Sequence, residues 1–327
     1  MSGRMRLIAI EEHFRAPMIS GVSEARSENV FRNTAFGTVF AKLDNLGDER
    51  LAEMDAAEIG VQVLSHGYPA TEVMEPERAI PLARQCNDYL AEAVARHPQR
   101  FAGFATLPTA APEAAADEMT RAVKELGFRG ALINGQTRGE FLDGEKYWPI
   151  FARAEELGVP IYLHPGEPSP AIQAAYYSGL PPQTARSLTL SAWGWHAELG
   201  LHALRLILAG TFDRFPRLQV ILGHMGELLP FMLARTSGEL AAAGDLPLAR
   251  PLEDYIGSNF HFTTSGMFTY PPLLCLLLVA GADRIMFAVD YPFCANKRGL
   301  DFITQAPISD ADKHKIAHGN AERLLSL

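Results

Sequence analysis

LIAIEEHF, Leu7 to Phe14, is the stretch on which the fold turns. Four apolar residues, two of them β-branched, run straight into Glu11, Glu12 and His13. Side chains at i and i+2 of a strand share a face. Glu11 and His13 therefore point to one side, and Glu12 to the other. An apolar strand that ends in ligating side chains is the unit from which an α/β barrel builds its active end.

The same unit recurs along the chain. Apolar runs ending in polar residues are VQVLSHG, RFAGFATLP, FRGALING, VPIYLHP, LQVILGHMG, NFHFTTSG and RIMFAVDYP. Each is followed by a segment of helical period, such as DERLAEMDAAEIG closed by Gly60, a long helix stopped at Pro98, and YWPIFARAEELG closed by Gly158. The fifth helix is expected over about Leu188 to Phe212. Strands alternating with helices imply a parallel sheet. Runs as apolar as VILG and IMFAV fit strands buried on both faces. Eight units in 327 residues predict a single (β/α)8 TIM barrel of class α/β, one domain over residues 1–327. A bare barrel needs about 250 residues, so the surplus is expected in loop insertions after strands 1 and 5, around Asn29–Asn45 and Gly166–Ser187. No glycine fingerprint for a nucleotide follows any strand.

Composition removes several function classes. Net charge is −9, with 48% hydrophobic and 20% charged residues and no basic stripe, which speaks against nucleic acid and against an anionic membrane surface. The most apolar later stretch, Pro271–Ala282, is far too short to span a bilayer. Cys86, Cys275 and Cys294 are scattered and odd in number, which fits neither a disulfide framework nor a thiolate zinc site. A cytoplasmic location is expected.

The strand ends then carry the chemistry. They offer Glu11 and His13, His66, Asn134, His164, His224, His261 with Thr263 or Thr264, and Asp290. A carboxylate and an imidazole on one face suit zinc, manganese or iron, and His164 and Asp290 can complete a four-donor set. His196 and His202 lie on the fifth helix, where packing is expected although His196 could approach the site from the insertion, and His261 is read as structural. Strand 4 ends ALINGQ, with no lysine.

IAIEEHF, IYLHP, VILGHMGE, FHFTTSG and IMFAVDYPF, taken in order, resemble the amidohydrolase superfamily, and within it the branch of ACMSD-type and γ-resorcylate (hydroxybenzoate) decarboxylases. The resemblance implies Glu11, His13, His164 and Asp290 as ligands of one divalent metal ion per chain, Zn2+ or Mn2+. Binuclear members of the superfamily place a carboxylated lysine on strand 4, so its absence implies one metal. The resemblance further implies Asp290, His224 and Glu227 as catalytic groups, with His224 paired to Glu227. Arg235 matches an arginine that grips a substrate carboxylate, a task its bidentate fork suits. Phe14 and Phe293 could pack against an aromatic ring, and His66 joins them as a substrate-contacting candidate. Relatives form homo-dimers or homo-tetramers. Two departures stand out: Asp290-Tyr291-Pro292 where the branch often has Asp-Trp-Pro, and Thr236-Ser237-Gly238 in place of Asp-His-Arg after the arginine.

The function expected is metal-dependent, non-oxidative decarboxylation of an ortho-hydroxy aromatic or related unsaturated carboxylic acid. The alternative is a mononuclear hydrolase of a lactone or amide.

Overall fold

The computed structural model describes residues 5–19, 37–244 and 246–327. All strand pairs are parallel. β1 (Leu7–Phe14), β2 (Ile59–His66) and β3 (Phe101–Gly103) follow one another in one sheet. β4 (Ala105–Thr106), β5 (Ala131–Asn134), β6 (Ile161–His164), β7 (Val220–Leu222), β8 (Phe260–Thr263) and β9 (Ile285–Met286) make up the other. β3 and β4 are one barrel strand interrupted at Phe104, whose amide still bonds to Leu64 O at 2.9 Å. The expected eight strands are thus present. The barrel closes between its ends through Ile10 N to Phe287 O at 3.2 Å, Asp290 N to Glu11 O at 3.0 Å and His13 N to Tyr291 O at 2.7 Å.

Two cores follow from the period-2 alternation of the strands. Ile8, Ile10, Val61, Val63, Phe104, Leu132, Tyr162, Ile221 and Met286 fill the barrel, with Ala321 and Leu325 of the last helix closing its floor. The alternate residues, Leu7, Leu64, Ile133, Leu163, Leu222 and Phe262 among them, face the helix layer. Each such side chain, fully buried, contributes about 1.5–3 kcal/mol. Pairing of β1 with β2 shifts between Ala9 and Glu12. That irregularity breaks strict alternation, so Glu11 and His13 both reach the barrel's upper end while Glu12 bonds sideways into the closing strand.

Several boundaries differ from those read in the sequence. The second helix ends at Ala56, and Gly60 lies inside β2. The charged face stops short because Ile59 is already needed by the strand. Gly158 does cap its helix, with φ 66°, a left-handed turn that glycine adopts without strain. The fifth helix is divided: Pro182–Thr189, Gly194–Leu208 and Thr211–Arg214. Gly194 is held at the break because a Cβ there would lie 2.1 Å from Thr189 O. The insertion after the fifth barrel strand carries the short helix Pro170–Tyr176. Of the insertion expected after strand 1, residues 29–36 lie outside the described residues, and Gly37–Asp44 is helical. Among the described residues no helix is long and apolar enough to cross a membrane.

Candidate metal centre

Glu11, His13, His164 and Asp290 converge at the upper end of the barrel, with one donor atom from each lying within 4.8 Å of the others. His13 Nε2 is 3.3 Å from Asp290 Oδ1, and His164 Nε2 is 3.6 Å from Glu11 Oε1. The second nitrogen of each histidine is already engaged. His13 Nδ1 meets Ser65 Oγ at 3.2 Å, and His164 Nδ1 meets Pro165 O at 2.9 Å. Both rings are thereby turned so that Nε2 faces the common centre, as ligating histidines are oriented by an outer partner.

Glu11 is arranged in the same way. Its Oε2 accepts from Tyr162, Ser265 and Thr263. Gly223 permits this approach, since a Cβ there would stand 2.8 Å from the same oxygen. Oε1 of Glu11 and Nε2 of His13 are buried without a hydrogen-bond partner. Buried polar atoms are nearly always satisfied. Two orphaned donors facing one point, with two nitrogens and two carboxylates within reach, fit a divalent cation.

The charges agree. Burial, with Asp290 adding to it, raises the Glu11 carboxyl to about 7, against the pull of His224 and His13. A cation among the donors would supply the countercharge it lacks. Burial alone would raise Asp290 as well, but His13 and His224 beside it hold it below the usual carboxylate range. His164 is held neutral, chiefly by burial, which is the form a metal requires.

His224 stands beside this set. Its Nε2 lies 3.6 Å from Asp290 Oδ2, and its Nδ1 lies 2.8 Å from Glu227 Oε1. The pairing of His224 with Glu227 read in the sequence is thus formed. Burial works against the protonated ring, but Glu227 and Glu11 outweigh it and raise His224 well above its ordinary value. Glu227 falls to about 2, because His224 and His196 overcome its burial.

The other candidates divide. Phe293 is 43% exposed and meets the His13 ring edge-on at 5.9 Å, a position from which it can wall a substrate. Phe14 does not join the cluster; it is buried against Tyr89 at 6.2 Å and His66 at 5.5 Å, on the helix-facing side of β1. His66 follows the same alternation on β2. It bonds Gly67 O at 2.7 Å, and burial lowers it to about 4. Arg235 is not brought to this chain's own centre. Its side chain is 74% exposed and pairs at 3.1 Å with Glu239, one helical turn on. Of the two readings of His196, packing gives way to approach to the site, since its Nδ1 bonds Glu227 Oε2 at 2.6 Å.

Residues that the sequence reading passed over include Tyr162, Ser65 and Ser265. Tyr162 lies two residues before His164 on one strand face, so the spacing carried a signal. Ser65 could be found only from the β1–β2 register, which pairs it with His13. Ser265 lies beyond its strand, where periodicity gives no direction.

Fold and site together define an α/β barrel with a metal-binding group of two histidines and two carboxylates at its upper end. The family model described as Amidohydrolase matches residues 39–327. The decarboxylase orsB of Emericella nidulans is 41% identical over 98% of this chain and 97% of its own length. The γ-resorcylate decarboxylase of Polaromonas sp. is 38% identical over 98% of both chains. A crystal structure of a dihydroxybenzoic acid decarboxylase from Polaromonas sp., with bound manganese and the inhibitor 2-nitroresorcinol, superposes with a TM-score of 0.90 at 37% identity, covering 99% of this chain and 98% of that one. The chain belongs to the amidohydrolase family.

Proposed function

We propose that this chain is a metal-dependent, non-oxidative decarboxylase of an ortho-hydroxybenzoate. The observation that carries the reading is the donor set itself, Glu11, His13, His164 and Asp290 around one point, in a chain whose relatives over nearly its full length are named as decarboxylases. A divalent ion held by these four residues supplies a Lewis-acidic anchor for the paired oxygens of an ortho-hydroxy carboxylate. Two carboxylates among four ligands neutralise such an ion and favour a hard one, so Mn2+ is preferred over Zn2+ here.

The residues then divide the work. Asp290 passes a proton to the ring carbon that bears the carboxylate. The bond from that carbon to the carboxylate breaks, its electron pair returns to the ring, and CO2 leaves. His224, held protonated 3.6 Å from Asp290, supplies that proton to the otherwise ionised Asp290 and steadies the substrate's oxygen. Glu227 keeps His224 oriented, and Phe293 flanks the ring. Running the reaction in D2O tests this route: one deuterium should appear at the carbon that lost CO2, and product without it would contradict the proton step. Nothing in the site specifically favours a lactonase or amidase.

The same reading takes residues 1–327 as one catalytic domain working in a reducing cytoplasm, where three free thiols are stable. It also takes the chain as a homo-oligomer. Phe231 is 80% and Leu278 89% exposed on two helices that pack together. Phe231 and Met232 stand four and three residues before Arg235 on helix Leu229–Ala243, so the three form one stripe of that helix. A second copy covering that stripe would take Arg235 out of bulk water, and there it can serve a substrate carboxylate.

A further inference from the structure

Glu227 is buried, yet two imidazoles share it. His224 Nδ1 donates to Oε1 at 2.8 Å, and His196 Nδ1 donates to Oε2 at 2.6 Å. His196 arrives from a separate element, the first turn of helix Gly194–Leu208. Its other nitrogen, Nε2, lies 2.8 Å from Ser191 O. An ionised carboxylate and a carbonyl only accept hydrogen bonds. Both ring nitrogens of His196 thus face acceptors, and neither is turned towards an open position.

The backbone around Glu227 shows why a second hold matters. His224, Met225, Gly226, Glu227 and Leu228 all have positive φ, at 47°, 57°, 87°, 56° and 67°. Left-handed backbone costs a non-glycine residue about 1–2 kcal/mol, and such strain persists only where its surroundings over-determine it. Helix Gly194–Leu208 does this in two places. A Cβ on Gly200 would lie 2.5 Å from Glu227 O, so helix and loop meet backbone to backbone. His196, one turn earlier, bonds the Glu227 side chain. The rings of His196 and His224 meet edge-on at 4.8 Å.

We propose that His196 is a positioning residue for the reaction. It holds the Glu227 carboxylate so that Oε1 fixes the Nδ1–H of His224 and leaves His224 Nε2 facing Asp290. This rests on the reading of His224 and Asp290 as the proton-handling pair. The competing use of His196, His224 and Glu227 is a second cation site, since each offers a donor atom within 4.8 Å of the others. The two occupied nitrogens of His196 argue against it.

His196→Asn, too short to reach Glu227, and His196→Gln, which keeps a donor within reach, make the test, with His224→Asn as control. His196→Asn should lower kcat by about 10–100-fold, the usual range for a residue orienting a functional group, while KM and metal content stay near wild type. His196→Gln should recover most of that loss. Proton NMR of the metal-free chain should show the His224 Nδ1–H resonance far downfield in wild type and His196→Gln, and lost to exchange in His196→Asn. If His196→Asn keeps kcat and the resonance while His224→Asn is inactive, the role of His196 is overturned and the proton-handling reading stands. A fully active His224→Asn overturns that reading itself. Two metal ions per wild-type chain, falling to one in His196→Asn, would establish a second cation site instead.

Discussion

His13 Nε2 and Asp290 Oδ1 lie 3.3 Å apart, although one ends the first strand of the barrel and the other follows the last. The barrel's closure and its metal centre are therefore one contact. Between the two faces sits Glu12, whose carboxylate accepts from Val289 N at 2.8 Å and Tyr291 N at 3.3 Å. Glu12 is fully buried, and burial raises its carboxyl, so it is kept for these bonds and not for solvent. Glu12→Ala leaves buried amides without an acceptor and should cost about 2–4 kcal/mol. A shift in the denaturant midpoint checks it, and an unchanged midpoint would separate closure from Glu12.

His164→Ala should take the metal from one ion per chain to well below it, by elemental analysis, and abolish turnover. The loss in folding stability should stay within about 2–5 kcal/mol, the range for truncating a buried side chain, so the far-ultraviolet circular dichroism remains that of wild type. A variant that keeps a full complement of metal would remove His164 from the ligand set.

Acid should destabilise the protein through its buried histidines. His202 is buried, accepts from Leu142 N at 3.0 Å, and is lowered to about 4 by burial. His261 is lowered to about 3, again chiefly by burial. The unfolded chain binds these protons near pH 6.5, before the folded one does. The share of stability set by these two histidines is therefore full above pH 6.5, declines as pH falls through the interval to about 4 and about 3, and is level below it. His202 contributes on the order of 1–3 kcal/mol to that decline. The melting temperature should fall less steeply over this window in His202→Gln than in wild type. Equal slopes would contradict the assignment.

Arg235 tests the assembly. Among the described residues of its own chain it makes an exposed pair with Glu239, and such pairs contribute about 0–1 kcal/mol. Arg235→Ala should leave stability almost unmoved and raise KM for the acid. Specific activity of wild type should fall on dilution as copies separate. Unchanged KM, with activity independent of concentration, would leave Arg235 a surface residue.

Much of this is legible in the sequence. β1 has the bounds read from LIAIEEHF, because an apolar run followed by three ionisable residues fixes both ends of a strand. The four donors were legible for the same reason: the barrel places strand ends together, so Glu11, His13, His164 and Asp290 needed only their strands to be found. What the pattern did not contain was anything set by irregular backbone. The left-handed run from His224 to Leu228 has no period, and its partner His196 lies after a helix break forced by Gly194, so their meeting at Glu227 could not be read from spacing. The aromatic character of Phe14 suggests a substrate contact, but alternation puts it opposite His13 and into the helix-facing core. Arg235 matched a motif, but its helix stripe faces outward.

The most direct measurement is CO2 release from a panel of ortho-hydroxybenzoates, 2,6-dihydroxybenzoate included, by the manganese-loaded protein, with lactones and aryl esters alongside. The expected result is CO2 formed one for one with acid consumed, abolished by chelation and restored by Mn2+. No turnover of any ortho-hydroxy acid, together with metal-dependent cleavage of an ester or lactone, would contradict the decarboxylase reading.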